Sequence, residues 1–121
     1  MERKHGIGIA LCALLVVGLA FAAAAADLYN GTGRLTMLRV HDVGTGYGSP
    51  SNFLDAEVVF RVDTSDKAFG FQLRNDTNSL VHQAMFSLLL QAYINNLTVY
   101  FDYWQEAGKT TCEVIRIWLG K

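Results

Sequence analysis

Tyr100, Asp102, Tyr103 and Trp104 fall within five consecutive residues, and Trp118 follows near the end of the chain. Sugar rings present apolar C–H faces that stack on aromatic planes, and their hydroxyls need Asn, Asp or Thr partners alongside. Asp102, Asn52 and Thr32 can supply those partners. If the segment is a strand, alternation sets Val99, Phe101 and Tyr103 on one face and Tyr100, Asp102 and Trp104 on the other. One face is core; the other belongs to solvent, a ligand or a neighbouring subunit. Trp104 is assigned to such an interface or binding surface.

Catalytic chemistry has less to work with. A hydrolytic triad needs a nucleophile, a base and an orienting group converging in space. After the N-terminal leader described below, the histidines are His41, beside Asp42 in a turn-rich stretch, and His82, near the start of an expected helix. Cys112 sits in the apolar run TTCEVIRIWL and reads as a buried small hydrophobe rather than a reactive thiol. A non-enzyme without a cofactor is expected. No cysteine pair or histidine cluster has the spacing of metal ligands, so no metal site is expected either. Gly44-Thr-Gly-Tyr-Gly48 invites comparison with phosphate-binding loops, but those open a helix whose N-terminus faces the anion. Here Ser-Pro-Ser-Asn and a strand follow, so a flexible loop is expected, with Tyr47 and Asn52 at its tip available to a ligand.

The elements that must position these residues begin after a leader. Arg3 and Lys4 precede an apolar run from Ile7 to Phe21 and then alanines from Ala22 to Ala26. The run is short of the ~20 residues of a membrane span and ends in small residues suited to signal peptidase, so residues 1–26 read as a signal peptide rather than a membrane anchor. The mature chain is expected in the periplasm or outside the cell, and the alanine-rich leader fits a bacterial source. Cleavage after Ala26 leaves 95 of the 121 residues, enough for one domain with a single core. Removing Arg3, Lys4 and Glu2 takes the chain's 10 basic and 11 acidic residues to 8 and 10, a net charge of −2. That balance argues against a nucleic-acid partner, which demands a basic face. Cys12 leaves with the leader, so Cys112 has no partner for an internal disulfide.

Period and turn residues divide the mature chain. Strands are expected at 34–40, 56–62 and 67–73, the last two as a hairpin, with Val58, Phe60 and Val62 on one face and Phe69, Phe71 and Leu73 on another. Asn75 to Ser79 can cap a helix from Leu80 to Ile94, with Val81, Ala84, Met85, Leu88, Leu89 and Ala92 toward the core. Asn95 and Asn96 tolerate the left-handed conformation that ends it. Strands around Val99–Trp104 and over 110–119 complete the chain. The order β-β-β-α-β-β over residues 27–121 is that of a single five-stranded OB-fold barrel, in the α+β class, with the helix plugging one end. A helix packed on an open antiparallel sheet is the alternative.

The passage LVHQAMFSLLLQAYINNLTVYFDYW, followed by TTCEVIRIWLG, resembles the B subunits of AB5 toxins of the pertussis, subtilase-cytotoxin and typhoid-toxin kind. The likeness covers residues 68–119 and extends weakly to 30–44. It implies a small exported OB-fold chain, assembled as a pentameric ring, that binds cell-surface glycans or glycoproteins, with a toxin A subunit as a further partner. By position, the family's sugar-site Ser and Tyr correspond to Thr32 and Tyr103. The family's closing-strand cysteine is usually bonded to one before the helix, and FGFQLRND carries none. The alternative function is a monomeric periplasmic or secreted protein-interaction module or inhibitor without sugar specificity.

Overall fold

The computed structural model describes residues 26–121; the leader reading falls on residues 1–25, outside the described residues. Asp27–Val40 forms β1, Val58–Val62 β2, Ala68–Phe71 β3, Ser79–Asn95 the helix α1, Thr98–Gln105 β4 and Thr111–Leu119 β5. The strands close into a barrel in the order β1-β2-β3-β5-β4, antiparallel except for β3 beside β5. This is the OB-fold arrangement, and closure of the sheet removes the open-sheet alternative.

β1 is twice as long as its composition suggests. Asn30, Gly31 and Gly33 are poor strand formers, which is why the sequence places its start at Arg34. Pairing with β4 overrides that preference, in register from Asp27 opposite Gln105 to Arg34 opposite Thr98. Gly31 is required there: a Cβ would stand 2.5 Å from Cε2 of Phe101, so the missing side chain lets the ring pack against the backbone. Between Leu35 and Met37 the register shifts, and the strand passes from β4 to β2. A bulge of this kind bends one strand across two neighbours and helps the barrel close.

The interior follows the expected alternation. Phe60, Phe69, Phe71, Val99, Phe101, Cys112 and Val114 are fully buried. Phe101 meets Phe69 at 4.7 Å and Phe60 at 5.2 Å between ring centroids, both edge to face, the arrangement that the ring quadrupoles favour. The β4–β5 register shifts between Asp102 and Tyr103, so that Asp102 faces Arg116 while Tyr103 faces Val114. Ile115 is skipped, and both Val114 and Ile117 stay inward.

Helix α1 closes one end through Met85, Leu89 and Ala92. It ends at Asn96, whose φ of 53° and ψ of 48° are left-handed, as the Asn-Asn pair suggests. Val81 and Ala84, expected toward the core, are exposed. Apolar residues flank the polar stripe of Ser79, Gln83, Ser87, Gln91 and Asn95 on both sides, so helical period alone does not select which apolar side is buried.

Residues 41–57 are anchored to the barrel through Tyr47, Leu54 and Ala56, with much of the segment exposed. Tyr47 and Leu54 exchange backbone hydrogen bonds of 2.9 and 2.7 Å. Leu54 and Ala56 join Val59 and Ala68 in a second small core on the outer side of the barrel, with Met37 and Tyr47 against it.

Candidate binding sites

From Arg34 back to Asp27, β1 is paired with β4, while its β2 pairing reaches back only to Leu35. The other edge of that segment faces the turn between β2 and β3. The turn is tied to it: Asp63 N–H donates to the Arg34 carbonyl at 2.9 Å, Arg34 N–H donates to Asp63 Oδ1 at 2.9 Å, and the Thr64 hydroxyl donates to the Thr32 carbonyl. Between edge and turn lies a cavity of about 290 Å³ lined by Asn30, Thr32, Thr64, Ser65, Lys67 and Tyr103, with Phe69 and Phe101 also in its wall. Thr32 and Tyr103 both border this cavity, but from opposite faces of the sheet: Thr32 stands opposite Tyr100 on the outer face, while Tyr103 points inward.

Tyr103 faces inward by strand alternation and is 6% exposed. Its ring stacks on Tyr29 at 5.7 Å. The Lys67 ammonium stands 5.7 Å from the Tyr103 ring centroid and 6.0 Å from that of Tyr29, so the cation is held at the pocket by two aromatic faces. Asn30 is oriented from outside: its Nδ2 donates to Asp102 Oδ1 at 3.0 Å, and Arg116 Nη1 donates to the other carboxylate oxygen at 2.5 Å. The cavity is thus bordered by an aromatic ring, one positive charge and the hydroxyl-bearing turn residues Thr64 and Ser65, while the Asn30 amide is engaged by Asp102 on the outer face. Such a set can accept and donate hydrogen bonds to a polyhydroxylated ring and can neutralise an acidic substituent on it.

The remaining sequence candidates lie elsewhere. Asp102 does not line the cavity; it pairs with Asn30 and Arg116 on the outer face of the barrel. Asn52 is a structural pin: its Oδ1 accepts from the N–H groups of Thr110 (2.9 Å) and Thr111 (3.2 Å), and its Nδ2 donates to the Thr110 hydroxyl at 2.8 Å. Tyr47 is half-buried, with the Arg39 guanidinium 5.4 Å from its ring centroid and Arg61 Nη1 3.5 Å from its hydroxyl. Trp104 is on the outer face, across from Leu28 on β1 and Glu113 on β5, at the edge of a second cavity of about 330 Å³.

Lys67, Thr64, Ser65 and Asn30 were not singled out by sequence reasoning. Asp63-Thr-Ser-Asp66 reads only as turn material, and nothing local shows that the turn folds back on the edge of β1. Cys112 is fully buried, and burial pushes its thiol up to about 11, with the charges of Lys67 and Lys109 pulling weakly the other way. Among the described residues, no group of three or more His, Cys, Asp or Glu side chains is placed to hold a metal ion. No family model matches the chain, and no curated protein matches it.

Proposed function

We propose that the protein is an exported, non-catalytic binding protein that recognises cell-surface glycans through the pocket between β1 and the β2–β3 turn, and does so as an oligomeric ring. The observation that supports this reading is the cavity bordered by Thr32 at its rim and Tyr103 in its wall, with Lys67, Thr64 and Ser65 around them. The AB5 B-subunit resemblance nominates the first two, and the others supply the hydrogen-bonding groups a sugar needs. A protonated, fully buried Cys112 fits binding rather than nucleophilic chemistry. Shallow sugar sites bury little area, so each binds weakly, and a ring compensates by raising the effective concentration of its remaining sites at a glycan-coated surface.

The test is a glycan array probed with the purified protein and with Tyr103→Phe and Lys67→Gln variants. Wild type is expected to give a restricted set of hits. Loss of the Tyr103 hydroxyl or the Lys67 charge should lower them about tenfold, the effect of removing one well-placed hydrogen bond or charge. An array without hits for wild type rejects the sugar reading. The second reading, a protein-interaction module without sugar specificity, is favoured by one observation: the outer surface of α1 exposes Leu80, Val81, Tyr93 and Ile94.

A further inference from the structure

The cavity beside Trp104 is separate from the pocket of Thr32 and Tyr103, and its chemistry differs. Across the outer face of the barrel, Trp104 on β4 stands opposite Glu113 on β5, and Glu113 stands opposite Gly70 on β3. Side chains directly opposite on adjacent antiparallel strands are near neighbours, so the indole and the Glu113 carboxylate share one patch of surface. On the other side of Glu113, Gly70 leaves its outer face to Leu54 and Ala56, which pack directly against it. A Cβ there would lie 2.5 Å from the Val58 carbonyl oxygen and 2.9 Å from Leu54 Cδ2. A side chain at Gly70 would displace that wall of the hollow. Phe53, 36% exposed, and Trp104, 38% exposed, both line it.

Its charges are unbalanced. Glu106 and Glu113 line it together with Asp55 and one cation, Lys109. Asp55 is paired with Arg74 at 2.5 Å, and the Lys109 ammonium donates to the Phe53 carbonyl at 2.9 Å. Arg74 is shared between Asp55 and Glu57, so the carboxylates that line the hollow outnumber its one ammonium. Exposed aromatic faces and carboxylates in one concave site are complementary to an organic cation, which is attracted by ring quadrupole and negative charge together.

We infer that this hollow is a second binding site, which takes a basic side chain, arginine or lysine, presented by a protein partner. The cationic head lies against Trp104 and Glu113, and its aliphatic stem lies along the apolar wall of Phe53 and Leu54. Recognition here does not depend on the glycan pocket, and a protein that fails to bind sugars can still show it.

The experiment is an amide NMR titration of the purified protein with N-acetyl-arginine N-methylamide, against the same titration with the citrulline analogue, which has the same shape and no charge. Saturable shifts at Gly70, Trp104 and Glu113 are expected with the arginine probe, and binding at least tenfold weaker with citrulline. Glu113→Gln, an exposed change, should weaken arginine binding severalfold while leaving distant amides unmoved. Equal response to the two probes, no saturable shift at these residues, or shifts confined to another surface overturns the inference. Because the two probes are compared on wild-type protein, the outcome stands even if the variant folds poorly.

Discussion

At the scale of single residues, Cys112 separates a packing role from a chemical one. Its thiol is raised from the usual value near 9 to about 11 because burial disfavours the thiolate. Below pH 9 both folded and unfolded chains keep the proton, and the residue adds no pH dependence. Between pH 9 and 11 the unfolded chain releases it and the folded chain does not, so stability falls as pH rises, by about 3 kcal/mol across that window. Urea titrations at pH 8 and pH 10.5 should show this alkaline loss in wild type, with the contribution absent in Cys112→Ala, whose overall stability is lower. The native protein should also react with a thiol reagent only at its unfolding rate. The sequence contains this reading because a lone cysteine amid Val, Ile and Trp is recognisably core. Tyr103 was legible only in part: alternation gives its inward face, but not that it borders a cavity. Asn52 shows the opposite failure. A polar residue in a glycine-rich loop looks available to a ligand, and only the fold reveals that Thr110 and Thr111 occupy both of its polar atoms.

At the scale of elements, what escaped the sequence is what depends on partners distant along the chain. Helix α1 and the hairpin of β2 and β3 announce themselves by period and turn residues, whereas the first half of β1 exists because β4 pairs with it. The link from β3 to α1 has a similar long-range anchor. Glu57, 2% exposed just before β2, accepts from Leu73 N–H at 3.0 Å and from Arg74 Nε and Nη2 at 3.0 and 2.8 Å. A forked guanidinium matches a carboxylate in this way, and the pair fixes where the chain leaves the sheet. Removing one partner strands a buried charge, which costs more than the pair contributes as a whole. Arg74→Ala should therefore lower stability in urea unfolding, because it leaves the buried Glu57 carboxylate unpaired. Glu57→Gln combined with Arg74→Met should recover part of that loss, because no unpaired carboxylate remains. Similar stabilities for the single and double variants would show that the pair acts only as surface decoration.

At the scale of the whole molecule, the distribution of charge bears most on assembly. The chain is 17% charged, yet no Asp, Glu, Lys or Arg occurs between Asp76 and Asp102. Helix α1 falls entirely in that interval and buries only Met85, Leu89 and Ala92 against the barrel. Leu80 is 81% exposed and Ile94 73%, seven-tenths or more of each in solvent at the two ends of the helix. A polar stripe of Ser79, Gln83, Ser87, Gln91 and Asn95 runs along the helix, and the most exposed apolar residues gather at its two ends, each a candidate interaction surface. In the ring reading, a neighbouring copy covers them. Light scattering after size-exclusion chromatography should then give the wild-type protein a mass several times that of one chain. Leu80→Glu with Ile94→Glu should reduce the mass to a monomer while thermal unfolding stays cooperative, since neither side chain contributes to the barrel core. Reductant should not change the wild-type mass, because the buried Cys112 cannot reach a second chain. A monomeric wild type would remove the multivalent mechanism and leave the apolar helix ends to a different protein, the circumstance in which the interaction-module reading takes over.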